Sequence, residues 1–129
     1  MEDAMQTREI PIEQWEPFFN SFSECHQGEK VTVKIVGKDI GDQTEMCDMP
    51  LMGISADRKA GGGERIEVSA GETTSAHITH AVLHPSHVRL AESDDGQAIA
   101  MQIESDDGPV TLVRFSQDPQ ELPEGFLSA

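Results

Sequence analysis

The sequence predicts an α+β domain: one N-terminal amphipathic helix packed on a curved, mostly antiparallel sheet of six or seven strands, a meander or small partly open barrel. A single aromatic stripe at helical spacing lies near the N-terminus, and a series of short, alternating apolar runs follows it. The connections between those runs are too short to hold helices. Parallel pairing needs long crossovers, so the strands are expected to pair antiparallel. At 129 residues the chain has the length of one domain. Residues 9–115 form its body, with 1–8 a polar lead-in and 116–129 a Pro-containing tail that Phe126 and Leu127 tack down.

The helix lies in IPIEQWEPFFNSFSECHQG, where Trp15, Phe18, Phe19 and Phe22 fall at i, i+3, i+4 and i+7. Gly28 is a C-terminal stop, and Pro17 fits in the first turn, where a missing N–H costs little. The helix therefore spans about residues 14–27. Nearly all the aromatic mass of the chain sits here, so this stripe must press on the sheet.

The strands follow in order. VTVKIV (31–36) alternates, PLMGISAD (50–57) and RIEVSA (65–70) come next, and RKAGGGER between them reads as a flexible loop. ITHAVL, HVRLAE, QAIAMQIE and PVTLVRF complete the set. ESDDG occurs at 92–96 and again at 104–108. Asp-Gly between alternating apolar runs is a strong hairpin signal, so Asp95-Gly96 and Asp107-Gly108 are predicted turns.

Charge excludes whole classes of function. Twenty-four Asp and Glu against nine Lys and Arg leave −15 at pH 7. Such a field repels phosphate backbones, and no basic cluster overrides it, so nucleic acid is not an expected partner. The acidity fits a solvated surface, a salt-adapted chain whose self-repulsion is screened, or a mimic of nucleic acid that decoys a basic protein. Cys25 and Cys47 lack metal or redox spacing and read as free thiols in a reducing compartment. The start MEDAMQTREI lacks the apolar core of a signal peptide, and no apolar run reaches the ~20 residues that cross a bilayer. A cytoplasmic protein with no membrane partner is the expectation.

HITHAVLHPSHVRL (77–90) holds His77, His80, His84 and His87 at steps that would align on a helix as a metal face. Pro85 breaks that helix at a cost of ~3 kcal/mol. Ile78, Thr79, Val82 and Val88 favour strand. On a strand, His80 and His84 stand ~13 Å apart, too far for one zinc ion. The segment then reads as a hairpin signature in which His84 and His87 bracket a Pro-Ser turn, the one pair that still suggests a metal.

Other constellations are weaker. The acid pairs Asp94-Asp95 and Asp106-Asp107 do not fit a calcium loop. Met46, Cys47, Met49 and Met52 resemble a soft-metal set, but Pro50 interrupts them and methionine also fills cores. Cys25 and His26 are helix neighbours that point about 100° apart, so they do not pair as nucleophile and base.

TREIPIEQW, FFNSFSECHQG, VTVKIVGKDIG, PLMGISAD, HPSHVRL and IESDDGPVTLVRF together resemble a small bacterial family of unknown function, over about residues 7–115. That resemblance implies no activity, cofactor or catalytic residue. The sequence therefore points to a non-catalytic binding or assembly module, with a protein partner or self-association and no cofactor, metal or catalytic site assigned. One alternative is a metal- or thiol-dependent enzyme using His84, His87 or Cys25, and another is the acidic decoy.

Overall fold

The computed structural model describes residues 6–37, 41–59, 63–73, 76–93, 98–106 and 108–115. Among them one helix packs on one open sheet of eight antiparallel strands. The elements are β1 (Gln6–Glu9), α1 (Trp15–His26) behind a 3₁₀ turn at Ile12–Gln14, β2 (Lys30–Gly37), β3 (Gly41–Lys59), β4 (Gly63–Thr73), β5 (Ala76–Leu83), β6 (Pro85–Glu92), β7 (Ala98–Ser105) and β8 (Val110–Arg114). The sheet order is β1-β6-β7-β8-β2-β3-β4-β5.

The helix forms where its aromatic spacing places it. Trp15, Phe19 and Phe22 are buried, and Phe18 packs against the same core. Phe22 reaches Phe115 at the end of β8, with ring centroids 5.3 Å apart. Gly28 takes φ 91°, which a side chain would resist, and donates its N–H to the Leu51 carbonyl instead of closing the helix on itself. Ser23 bonds the helix to the sheet: its Oγ accepts the Ile54 N–H at 2.8 Å and donates to the Ile54 carbonyl at 2.9 Å.

One long strand makes the sheet curve. The first part of β3 pairs with β2 and the second part with β4. Leu51 is the pivot, donating to the Glu29 carbonyl while standing opposite Ala70. Nearby Asp48 has φ 59°, a left-handed conformation that Asp tolerates better than most residues, and its N–H is bonded to Thr32 Oγ1. The bend brings β4 towards β6 and β5 towards β7. The larger of two buried clusters then fills the concave side, with Val33, Ile66, Val68, Leu90, Met101, Ile103 and Val113 all essentially inaccessible, while Ala91, Ile99, Ala100 and Leu112 form the smaller one.

Several expectations change. The sheet has eight strands because Gln6–Glu9, the first three of which were expected within the polar lead-in, pair with β6. RKAGGGER is largely strand: β3 runs to Lys59 and β4 begins at Gly63, and residues 60–62 lie outside the described set. Pro50 does not interrupt MCDMPLM, which stays within β3. The β5–β6 hairpin is overturned, since β5 pairs with β4 and β6 with β1 and β7. Between them the chain turns a corner at His84, φ 56°. The β7–β8 turn holds that corner: Ser105 Oγ donates to the Leu83 carbonyl and the Asp106 N–H to the His84 carbonyl. At the predicted Asp107-Gly108 turn, Gly108 has φ 114° and its N–H returns to Ser105, a looser loop than a two-residue hairpin. Asp95-Gly96, Asp94, Asp107, the tail 116–129 and residues 1–5 lie outside the described residues. No described helix is long and apolar enough to cross a membrane.

Candidate functional site

The sheet ends in two edge strands, β1 and β5, and they differ chemically. β5, AHITHAVL, is eight residues long and contains no Asp, Glu, Lys or Arg. In a chain with 26% charged residues such a stretch on an edge is conspicuous. Among the described residues β5 pairs with β4 alone, so its other side presents free backbone N–H and C=O groups. His77, Ile78, Thr79, Ala81 and Leu83 are exposed. Ile78 and Leu83 are two of the three exposed large hydrophobic residues described, the third being Ile12 in the 3₁₀ turn.

Alternation sorts the side chains of β5. Val82 and His80 face the core side, where Val82 stands opposite Ile66 and His80 opposite Val68. His80 is half-buried and its Nε2 lies 3.2 Å from Thr111 Oγ1 on β8, a bond across the concavity. Desolvation holds the His80 imidazole below its ordinary pKa, with Glu45 opposing the shift, so the neutral ring is favoured. On the outward face Thr79 Oγ1 and Ser69 Oγ are 2.9 Å apart, tying β5 to β4.

β1 is the opposite case. It is only four residues long and carries Arg8 and Glu9. Arg8 Nε donates to Glu92 Oε1 at 3.2 Å, and its guanidinium lies 5.7 Å from the Phe18 ring centroid. Glu9 Oε2 is 2.7 Å from His87 Nδ1, while Arg89 stands 3.8 Å from Glu9 Oε1 and bonds Glu104 on β7. The hydrogen bond from His87 holds the Glu9 carboxyl below its ordinary pKa; burial opposes this, and the charges of His87 and Arg89 assist it. Gln102 Nε2 also donates to Glu104, at 3.0 Å.

The residues singled out by sequence do not converge. His84 is exposed at the corner, and His87, on strand β6 instead of a Pro-Ser turn, turns its Nδ1 to Glu9. Cys25 and Cys47 are exposed free thiols on α1 and β3. Met46 is core, while its neighbour Cys47 is exposed. Among the described residues no three His, Cys, Asp or Glu side chains group to hold a metal ion. Sequence reasoning missed the Glu9–His87 contact, which joins residues 78 apart. It also missed β5 as an edge, although the absence of formal charge from residues 76–83 was the available signal.

Comparison with known proteins places the chain in a family without assigning chemistry. Residues 6–125 match the model of the family of unknown function DUF5335, and the chain belongs to that family. It is similar to an uncharacterized protein of Aquifex aeolicus (strain VF5), 32% identical over 111 residues, covering 86% of this chain and 93% of that protein. No solved structure matches.

Proposed function

We propose that this member of the family is a non-catalytic binding or assembly module that works by strand addition at β5. The observation that supports this reading is the edge itself: eight residues without formal charge, with exposed Ile78 and Leu83. Proteins normally block such edges with charges, prolines or bulges, because free backbone groups template another strand. The described irregularity of β4–β5 pairing lies between Gly71 and Thr73 and leaves the free side of β5 regular. Strand addition draws affinity from main-chain hydrogen bonds and specificity from alternate side chains.

The cytoplasm is the compartment this reading assumes, supported by the free thiols Cys25 and Cys47. The charge of −15 argues for protein as the partner class, against nucleic acid and anionic membrane surfaces. The test is to select binders from a random peptide library and titrate them into isotopically labelled protein. The expected result is that amide shifts concentrate at residues 77–83. Failure to enrich any peptide, or shifts confined to other strands, would overturn the reading.

A second reading, an enzyme using His84, His87 or Cys25, has one observation in its favour. Glu9 fixes the His87 ring through Nδ1, the arrangement by which a carboxylate orients an imidazole base. Binding remains the preferred reading because both members of that pair are consumed in tying β1 to β6.

A further inference from the structure

We infer that the occupant of the β5 edge is a second copy of this chain, paired antiparallel about a two-fold axis normal to the sheet. The inference rests on the strand-addition reading and names its partner. Two bodies of −15 repel each other, so they can approach closely only where neither presents formal charge. β5 meets that condition, since Ala76–Leu83 hold no acid or base other than His77 and His80. Self-pairing there sets no like charges opposite one another while the imidazoles are neutral, and burial favours neutral His80.

Symmetry supports the same occupant. A two-fold pairing lays the partner strand beside Ile78 on one face of the sheet and beside Leu83 on the other, and it covers the free backbone of both edges at once. Growth into a fibre would need β5 of one copy on β1 of the next. β1 blocks this, with Arg8 and Glu9 engaged by Glu92, His87 and Arg89. Two further sides of β3 lack a strand among the described residues. That of its second half is occupied at Ile54 by Ser23 of the helix, and that of its first half carries the exposed acids Glu45 and Asp48, which oppose an added acidic copy. The assembly therefore closes as a dimer with a continuous sheet. A strand of eight residues spans only ~27 Å, so the interface is small and the dimer is expected to depend on concentration.

The test is sedimentation equilibrium of the full chain at ~0.15 M and ~1 M potassium chloride. Wild type is expected to approach twice 14.1 kDa with rising concentration, at lower concentration in the higher salt. Thr79→Lys/Ala81→Lys places charges on exposed positions of the edge and is expected to stay monomeric. Gln14→Lys/Asn20→Lys adds the same charge on exposed positions of the 3₁₀ turn and helix and is expected to dimerise at least as well as wild type. Circular dichroism confirms that each variant is folded. Two results would overturn the inference: wild type monomeric throughout, or a dimer that the edge lysines leave intact. A monomer whose residues 77–83 still bind peptide would refute the second copy while leaving the strand-addition reading standing.

Discussion

The two edges of this sheet solve the same physical problem in opposite ways. Among the described residues both have a strand on one side alone, yet β1 is short, charged and cross-linked to its surroundings, while β5 is twice as long and carries no formal charge. β1 is tied down from three directions: Arg8 to Glu92, Glu9 to His87 and Arg89, and Ile10, whose N–H bonds the Val88 carbonyl. β5 is held from its core side by Val82 and His80. This contrast, drawn among the described residues, is what motivates the proposal that β5 takes up another strand.

The largest effect on this contrast comes from the root of β1. Trp15 is buried and its Nε1 donates to the Ile10 carbonyl at 2.8 Å, so it holds the chain between β1 and the helix. Trp15→Ala is expected to cost ~3–5 kcal/mol, lowering the melting temperature by more than ~10 °C. Hydrogen exchange of the folded variant should show β1 losing protection while β5 keeps its own. Equal loss at both edges would break the distinction between them.

Ser23→Ala tests the third free edge and ranks next. It strands the Ile54 N–H and carbonyl, an expected loss of ~1–3 kcal/mol in denaturant unfolding. A variant as stable as wild type would mean that the helix does not close that side of β3.

Acid separates the two edges with the smallest effect. His80 and Glu9 both have folded pKa values below their unfolded ones, so each contributes stability at high pH that is lost as pH falls. For His80 the loss begins below its unfolded value of ~6.5; for Glu9 it begins below ~4.3. Protection of β5 amides, corrected for intrinsic exchange, should fall in the first window and that of β1 only in the second. His80→Gln should remove the first step. Loss of both edges in one window would contradict the assignment of each to its own titrating group.

How much was legible beforehand varies with how local the signal is. The stripe Trp15, Phe18, Phe19, Phe22 marked the helix to within a residue or so, because burial on one helical face repeats every 3.6 residues. Six or seven strands were visible as runs, but the first half of β3 and Gln6–Glu9 were not, and the four residues QTRE show no alternation to read. HITHAVLHPSHVRL was correctly taken out of helix by Pro85, yet its hairpin did not follow. A connection of one residue suggests adjacent strands, and only the curl of the sheet shows β5 and β6 parting at His84.

The sequence by itself therefore determined the elements and the charge: periodicity and composition are properties of neighbours along the chain. It also placed an uncharged stretch at residues 76–83 without saying where that stretch would lie. Tertiary structure alone decided that β8 pairs with β2, that Glu9 meets His87, that His80 reaches Thr111, and that β5 has no strand beside it other than β4 among the described residues. Each depends on which distant surfaces the bend at Asp48 and Leu51 brings together. Strand pairing is fixed by that closure, because any alternating run can add to any free edge until the shared core chooses one.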